Sequence, residues 1–161
     1  PEGEKGELVF TSITKEAFPL IRYRTRDICV LSRKKCSCGR THVRMSKPMG
    51  RSDDMLKIRG VNVFPSQIES ALIGISQISP HYQLVVTREG FADALEVRVE
   101  LVDGSLLTRY GELEALQHGI HNRIKAILGI EIKVSLVEPK TIERFVGKAQ
   151  RVVDLRKEGK S

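Results

Sequence analysis

The stretch LEVRVEL, residues 95–101, decides the fold class because apolar and charged residues alternate along its whole length. A period of two predicts a β-strand with one buried face and one face in water. Apolar residues at every second position of 130–136 predict another such strand, and QLVVT at 83–87 predicts a third, closed by Glu89 and Gly90. These strands predict a sheet with one wet face.

Two helices are predicted between the strands. The first begins at Pro65, which is tolerated in a first turn because its missing N–H would be unpaired there anyway. The second covers about 108–128, with apolar residues at three- and four-residue steps, and ends at Gly129. With a short apolar hairpin after residue 54, the order is hairpin, helix, strand, strand, helix, strand. This order predicts an α+β fold, a split βαβ (ferredoxin-like) domain with helices on one face of an antiparallel sheet.

The first fifty residues have a different character. They are predicted to form strands and a loop rich in Lys, Arg and Cys, with no helix. We therefore predict a β-rich segment at 1–50, a hinge at 51–54 and a mobile C-terminal domain at 55–161. The chain has no starting Met, and Pro1 stands just ahead of the strand-like GELVFT, which predicts that it is a piece of a longer protein.

Composition excludes several classes of protein. The net charge of +7 invites a nucleic-acid interpretation, but only 5% of the residues are aromatic and could stack on bases. Anionic small molecules such as nucleotides or CoA fit the charge at least as well. No apolar run approaches the roughly 18 residues that a membrane span needs, and the N-terminus lacks a signal-peptide pattern. We expect a cytoplasmic protein that binds neither nucleic acid nor membranes.

The cysteines raise the question of a metal. Three cysteines without a secretory context favour reduced thiols or a metal over disulfides. Cys36 and Cys38, with His42 four residues on, offer three ligands of the kind that zinc prefers. A structural zinc ion normally needs four, and the rest could come from Cys29 or from outside this chain. A pair of reduced thiols beside a surface histidine is the alternative.

Three motifs carry a family resemblance. YRTRD at 23–27, GRSDDMLKIRGVNVFPSQIE at 50–69 and GKAQRVVD at 147–154 resemble successive motifs of the adenylate-forming superfamily, most closely its phenylacetate-CoA ligase branch. The resemblance covers nearly the whole chain but only the last third or so of such a ligase. Arg26 stands where the wider superfamily usually has Gly, and this departure agrees with the phenylacetate branch. Val146 stands where the superfamily usually has Ser.

The resemblance implies two half-reactions. A carboxylate attacks the α-phosphate of ATP to give an acyl-adenylate, and the CoA thiol then displaces AMP. The catalytic role falls to Lys148, which would contact both anions and lower their repulsion as charge builds in the transition state. Asp27 would accept hydrogen bonds from the ribose hydroxyls, and Arg51 would contact ribose or phosphate. Mg²⁺ would accompany ATP, with ligands outside this chain.

The same resemblance implies a rotation between the half-reactions. Asp53 would be the hinge, since a short polar residue in an exposed turn can absorb a large change in φ and ψ. Rotation would bring in the hairpin, where Gly60 lets the backbone lie close to the pantetheine arm. Lys57 and Arg59 could meet CoA phosphates, and a plain solvated role for both stays open.

Two classes of function follow. The leading one is the C-terminal portion of an ATP-dependent aryl- or arylacetate-CoA ligase, inactive alone, whose partners are an aromatic carboxylic acid, ATP and CoA. A homodimer of the whole enzyme is left open, as is a related F420-adenylylating synthetase. The rival is a small-molecule-binding regulatory module, which needs only the ferredoxin-like plan.

Overall fold

The structure, a computed structural model, describes residues 2–144 and 151–156 of the 161-residue chain. The chain divides into two units, Pro1–Met55 and Leu56–Ser161, called here the N-terminal and the C-terminal unit. The division follows Met55, one residue after the predicted hinge at 51–54.

The N-terminal unit is built around one long strand. Strand β2 pairs antiparallel with three others: β1 at one edge, and β3 and β4 through separate parts of β2. The four strands are β1 (Lys5–Phe10), β2 (Tyr23–Ser32), β3 (Arg44–Met45) and β4 (Gly50–Arg51). The described residues of this unit form strands and turns without a helix, as the sequence predicts.

The C-terminal unit begins with the predicted hairpin, strands β5 (Leu56–Ile58) and β6 (Val61–Val63). The two residues of its turn, Arg59 and Gly60, have φ of 48° and 82°. Positive φ at both positions matches a two-residue type I′ turn, whose twist suits antiparallel strands and which favours Gly at the second position.

A second sheet and two helices complete this unit. The sheet has the order β10-β7-β8-β9, with strands β7 (Ile78–Glu89), β8 (Ala92–Leu101), β9 (Lys133–Val137) and β10 (Val152–Asp154). The helices are α1 (Pro65–Leu72) and α2 (Tyr110–Leu128), and a 3₁₀ turn at Gly104–Thr108 precedes α2. Within the described ranges, no helix has the length and apolar character that a membrane crossing requires.

The predicted element order is confirmed, but the predicted sheet is wrong in its strand directions. Among the described strands of the β10-β7-β8-β9 sheet, β7 and β8 are antiparallel, whereas β9 runs parallel to β8 and β10 runs parallel to β7. Helix α2 joins two neighbouring parallel strands, so the βαβ unit is not split and the ferredoxin-like plan is not confirmed. Alternation identifies a strand and its buried face, but a long helical connection permits a parallel neighbour that alternation does not reveal.

One apolar core fills the C-terminal unit. Strand β8 contributes the apolar residues of LEVRVEL, which are all buried, and α2 contributes three residues at helical spacing. Each fully buried aliphatic side chain stabilises the fold by about 1.5–3 kcal/mol. The side chains with the least exposure are Ile58, Ile68, Leu84, Leu101, Ile120, Ile124, Val63, Val86, Val97 and Val99.

Candidate functional site

The predicted nucleotide residues meet where β2 and β4 pair. The register sets Asp27 directly opposite Arg51, so both motif residues share one antiparallel pair. The nearest side-chain atoms, Arg51 Nη1 and Asp27 Oδ1, are 3.8 Å apart, and both side chains are partly exposed. A ligand can therefore reach a carboxylate that accepts hydrogen bonds and a guanidinium that donates them.

Arg51 also holds the predicted hinge residue. Its Nε donates to Asp53 Oδ1 at 3.0 Å and its Nη2 donates to Asp53 Oδ2 at 2.9 Å, a two-pronged pair. Asp54 lies farther off, with Oδ2 at 3.8 Å from Arg51 Nε. The hydrogen bonds from Arg51 hold the pKa of Asp53 below its usual range. The resemblance implied that Asp27 and Arg51 both contact the nucleotide, but the pairing of Arg51 with Asp53 was not predicted.

Arg26 occupies a backbone conformation that normally favours glycine. Its φ is 66°, in the left-handed region, where a side chain costs about 1–2 kcal/mol. Its carbonyl accepts a hydrogen bond of 2.7 Å from the Ser52 amide, which ties β2 to the turn after β4. The conformation gives a physical reason for the Gly that the wider superfamily usually has at this position.

The hairpin presents its predicted residues to solvent. Lys57, Arg59 and Gly60 are all exposed, and an added Cβ at Gly60 would meet no atom within 4 Å. The positive φ of Gly60, rather than crowding within this chain, is what requires glycine. The exposed Arg59 side chain also makes a contact within the unit: its Nε donates to the carbonyl oxygen of Asp93 at 3.0 Å.

Lys148, the predicted catalytic residue, lies outside the described residues. The last described residue before it, Arg144, donates from Nη1 and Nη2 to the two oxygens of Glu100, at 3.0 and 2.6 Å. The first described residue after it, Arg151, lies 3.0 Å from Glu69 and places its guanidinium over the Tyr82 ring, 4.4 Å from the centroid. Arg144 and Arg151, the described residues nearest to Lys148 on either side, are thus both held by contacts within the C-terminal unit.

Glu100 is a buried carboxylate that sequence reasoning missed. It stands on the charged side of LEVRVEL, yet it is 2% exposed. Burial by itself would raise its pKa, but the hydrogen bonds from Arg144 and from the backbone at Lys140 and Ile142 outweigh burial and lower the pKa to about 2. No sequence signal separates Glu100 from Glu96, because the partner of Glu100 lies 44 residues further along the chain.

The structure brings together only part of the predicted zinc ligands. Cys36 and Cys38 lie in a tight turn with their Sγ atoms 3.2 Å apart, and the Gly39 amide donates to the Cys36 carbonyl at 2.9 Å. The backbone N–H of Cys38 and then its thiol lower the pKa of Cys36. His42 does not join them, since the described residues hold no group of three His, Cys, Asp or Glu side chains suited to a metal. Cys29 is buried in β2.

Comparison with known families and proteins gives consistent matches. The family described as AMP-binding enzyme C-terminal domain matches residues 60–156. Over 155 residues the chain is 50% identical to a phenylacetate-coenzyme A ligase of Escherichia coli, covering 96% of this chain and 35% of the relative. A phenylacetate-coenzyme A ligase of Thermus thermophilus is 46% identical over 170 residues, with 98% and 38% covered. The chain thus spans a little over a third of the length of these curated relatives.

Solved structures agree with these matches. A 2-hydroxyisobutyryl-CoA ligase in its postadenylation state, in complex with R3-HIB-AMP, aligns with a TM-score of 0.78 and 35% identity. The alignment covers 96% of this chain and 33% of that one. The same ligase in its thioesterification state, in complex with 2-HIB-AMP and CoA, aligns with a TM-score of 0.61 and 35% identity, covering 98% and 33%.

Proposed function

The chain belongs to the family of AMP-binding enzyme C-terminal domains, and on that premise we propose that it is the C-terminal portion of an ATP-dependent CoA ligase for an aryl or arylacetic acid. The observation that carries the proposal is the agreement along nearly the whole chain with relatives named phenylacetate-coenzyme A ligase. The whole protein would convert the acid, ATP and CoA into acyl-CoA, AMP and pyrophosphate.

In the first half-reaction the residues of the β2–β4 pair serve the nucleotide. Asp27 accepts hydrogen bonds from the ribose hydroxyls, and Arg51 donates to ribose or phosphate. Lys148 contacts the acid carboxylate and the α-phosphate, so its charge offsets the repulsion between two anions as the new P–O bond forms. The 3.8 Å separation of Asp27 and Arg51 supports the shared nucleotide role of that pair.

In the second half-reaction the hairpin replaces Lys148 at the active centre. Asp53 is the hinge, and its pairing with Arg51 must loosen as its backbone turns. Gly60 then lies beside the pantetheine arm, with Lys57 and Arg59 near the CoA phosphates. The 2-hydroxyisobutyryl-CoA ligase solved in both a postadenylation and a thioesterification state supports two such states for this chain.

The remaining partners are narrower proposals. Mg²⁺ accompanies ATP, and its ligands lie outside the residues assigned here. Cys36 and Cys38 fit one half of a structural zinc site, with the other ligands supplied from outside the described part of the chain. A homodimer and a cytoplasmic location stay predictions. The regulatory-module alternative is not carried further, because the sheet lacks the split βαβ plan on which it depended.

The deciding experiment is Lys148→Ala in the full-length protein. We expect ATP–pyrophosphate exchange to fall by a factor on the order of 10²–10³, roughly 3–4 kcal/mol of transition-state stabilisation. Thioester formation from supplied acyl-adenylate should remain nearly intact. Lys133→Ala, at an exposed lysine of β9, is the matched control and should leave both steps unchanged. Equal damage to both steps by Lys148→Ala would contradict the proposed role.

The isolated chain offers a second test. We propose that these 161 residues alone make no acyl-CoA from ATP, CoA and phenylacetate, because the relatives are nearly three times as long as the segment that matches. Turnover by the purified chain, above that of a Lys148→Ala version of the same chain, would contradict this.

A further inference from the structure

A cluster of opposite charges links the hairpin to the rest of the C-terminal unit. Its centre is Asp93, at the start of β8, whose side chain is 15% exposed. Arg88 donates from Nε to Oδ1 at 3.0 Å, and Arg156 donates from Nη1 to Oδ2 at 3.0 Å. Both oxygens of one carboxylate are therefore held by guanidinium groups.

Arg156 extends the cluster in two directions. Its Nε and Nη2 donate to the two oxygens of Asp154, at 2.8 and 2.5 Å, which connects the cluster to β10. Its Nη1 also donates to the carbonyl oxygen of Lys57 at 3.2 Å, which connects the cluster to the hairpin backbone. The Arg156 side chain is 22% exposed, and its contact with Lys57 spans 99 positions of the sequence.

A second contact reaches the hairpin from the same place. Arg59, in the hairpin turn, donates from Nε to the backbone carbonyl of Asp93 at 3.0 Å. Asp93 therefore contacts the hairpin by two routes. Its carbonyl accepts directly from Arg59, and its carboxylate holds Arg156, which donates to the carbonyl of Lys57. Hydrogen bonds to charged groups are the stronger kind and restrict geometry.

The hairpin needs such contacts. A two-stranded sheet is marginally stable by itself, and the described ladder of β5 and β6 holds only three residue pairs. Leu56, Ile58 and Val63 anchor one face in the core, but they leave the turn with Arg59 and Gly60 outside it. Polar contacts to Asp93 and Arg156 restrain the outer side.

We propose that Asp93 is a positioning residue of the thioester-forming step, which it serves by fixing the hairpin turn through Arg156 and Arg59. The inference rests on the proposed function, in which this hairpin meets CoA. Asp93 touches no substrate; it sets the place of Gly60 and Lys57, which do. Misplacing groups near a reacting centre by about 1 Å can cost up to 10²-fold in rate, so a second layer of contacts matters to the chemistry.

The test is Asp93→Asn in the full-length protein. The variant keeps the size of the side chain and the carbonyl that accepts from Arg59, but it removes the charge that pairs with Arg88 and Arg156. We expect kcat for thioester formation from supplied acyl-adenylate to fall roughly tenfold, with ATP–pyrophosphate exchange within about twofold of wild type. Amide hydrogen exchange at 56–63 should quicken, while exchange in the central part of β7 and β8 stays unchanged.

Two further variants make the result specific. Glu96→Gln is the matched control, because Glu96 lies on the same strand and pairs with Arg98 and Lys133 but makes no described contact with the hairpin. It should leave both half-reactions and hairpin exchange unchanged. Arg156→Lys keeps a positive charge but loses the guanidinium group that reaches both Asp93 and Lys57. It should have the same effects as those expected for Asp93→Asn, and it replaces Asp93→Asn as the test if Asp93→Asn does not fold.

Two different failures can be told apart. If the wild-type protein forms acyl-CoA but Asp93→Asn slows both steps equally, or leaves hairpin exchange unchanged, the positioning role is wrong and the proposed function stands. If the wild-type protein forms neither acyl-adenylate nor acyl-CoA, the proposed function fails and this inference fails with it.

Discussion

The two units of the chain bury apolar residues to very different extents. The C-terminal unit packs a continuous core from both helices, the hairpin and the four-stranded sheet. In the described part of the N-terminal unit the one buried apolar residue is Cys29, while Ile13, Phe18 and Ile21 are 92%, 82% and 76% exposed. The C-terminal unit therefore has its own source of stability, whereas the N-terminal sheet lacks an apolar covering layer among the described residues.

The largest expected effect compares one isoleucine from each unit. Ile124 in α2 is fully buried, so Ile124→Ala should lower the free energy of unfolding by about 2–5 kcal/mol through lost burial and the cavity left behind. Ile13 is almost fully exposed, so Ile13→Ala should change the free energy of unfolding by less than about 0.5 kcal/mol. Urea unfolding of the 161-residue chain, followed by circular dichroism, measures both. Similar losses for the two variants would remove the contrast between the units.

A smaller effect should come from the Glu100–Arg144 ion pair of the C-terminal unit, in which the Glu100 side chain is buried and the Arg144 side chain is partly exposed. The pKa of Glu100 is lowered to about 2 from 4.5, so its charged form stabilises the fold at any pH above about 4.5. That contribution is lost as the pH falls from about 4.5 through about 2, and it amounts to about 3 kcal/mol at most.

Glu100→Gln tests this contribution. The variant should be less stable than wild type at pH 7, and the difference should shrink as the pH falls through the same window, because protonation then removes the charge from wild type too. Denaturant unfolding at pH 7, 4 and 3 measures it. A stability difference that does not depend on pH would contradict the assignment of the lowered pKa to Glu100.

The smallest effect is expected for the matching ion pair of the N-terminal unit. Arg24 donates to both oxygens of Glu7, at 2.9 and 2.5 Å, much as Arg144 does to Glu100. Arg24 is 67% exposed, so solvent and salt weaken the pair despite its good geometry. Glu7→Gln should leave the unfolding midpoint of the chain unchanged within error at physiological salt. A loss as large as that of Glu100→Gln would mean that geometry, rather than burial, decides the value of these pairs.

The same contrast shows what sequence could and could not predict. Period-two and helical patterns predicted the strand at 95–101 and the helix that begins at Pro65. Burial of one face of a strand or helix places apolar residues at a regular spacing along the sequence, and that spacing can be read locally. The parallel direction of β9 and the three-residue strand β10 were missed, since pairing partners are set by distant residues. The resemblance implied nucleotide roles for Asp27 and Arg51, which lie opposite each other in the structure. The motifs did not predict the ion pairs of Asp93 with Arg156 and of Glu100 with Arg144, because the two residues of each pair are far apart in the sequence.

Asp53→Pro in the full-length protein is the most direct test of the proposed rotation at Asp53 between the two half-reactions. Proline fixes φ near −65° and should hold the domain in one orientation. We expect ATP–pyrophosphate exchange to survive and thioester formation from supplied acyl-adenylate to be lost, with little change in melting temperature. Asp53→Ala removes the pairing with Arg51 but leaves φ free, so it should keep both steps. Wild-type rates of both half-reactions in Asp53→Pro would contradict the proposed rotation.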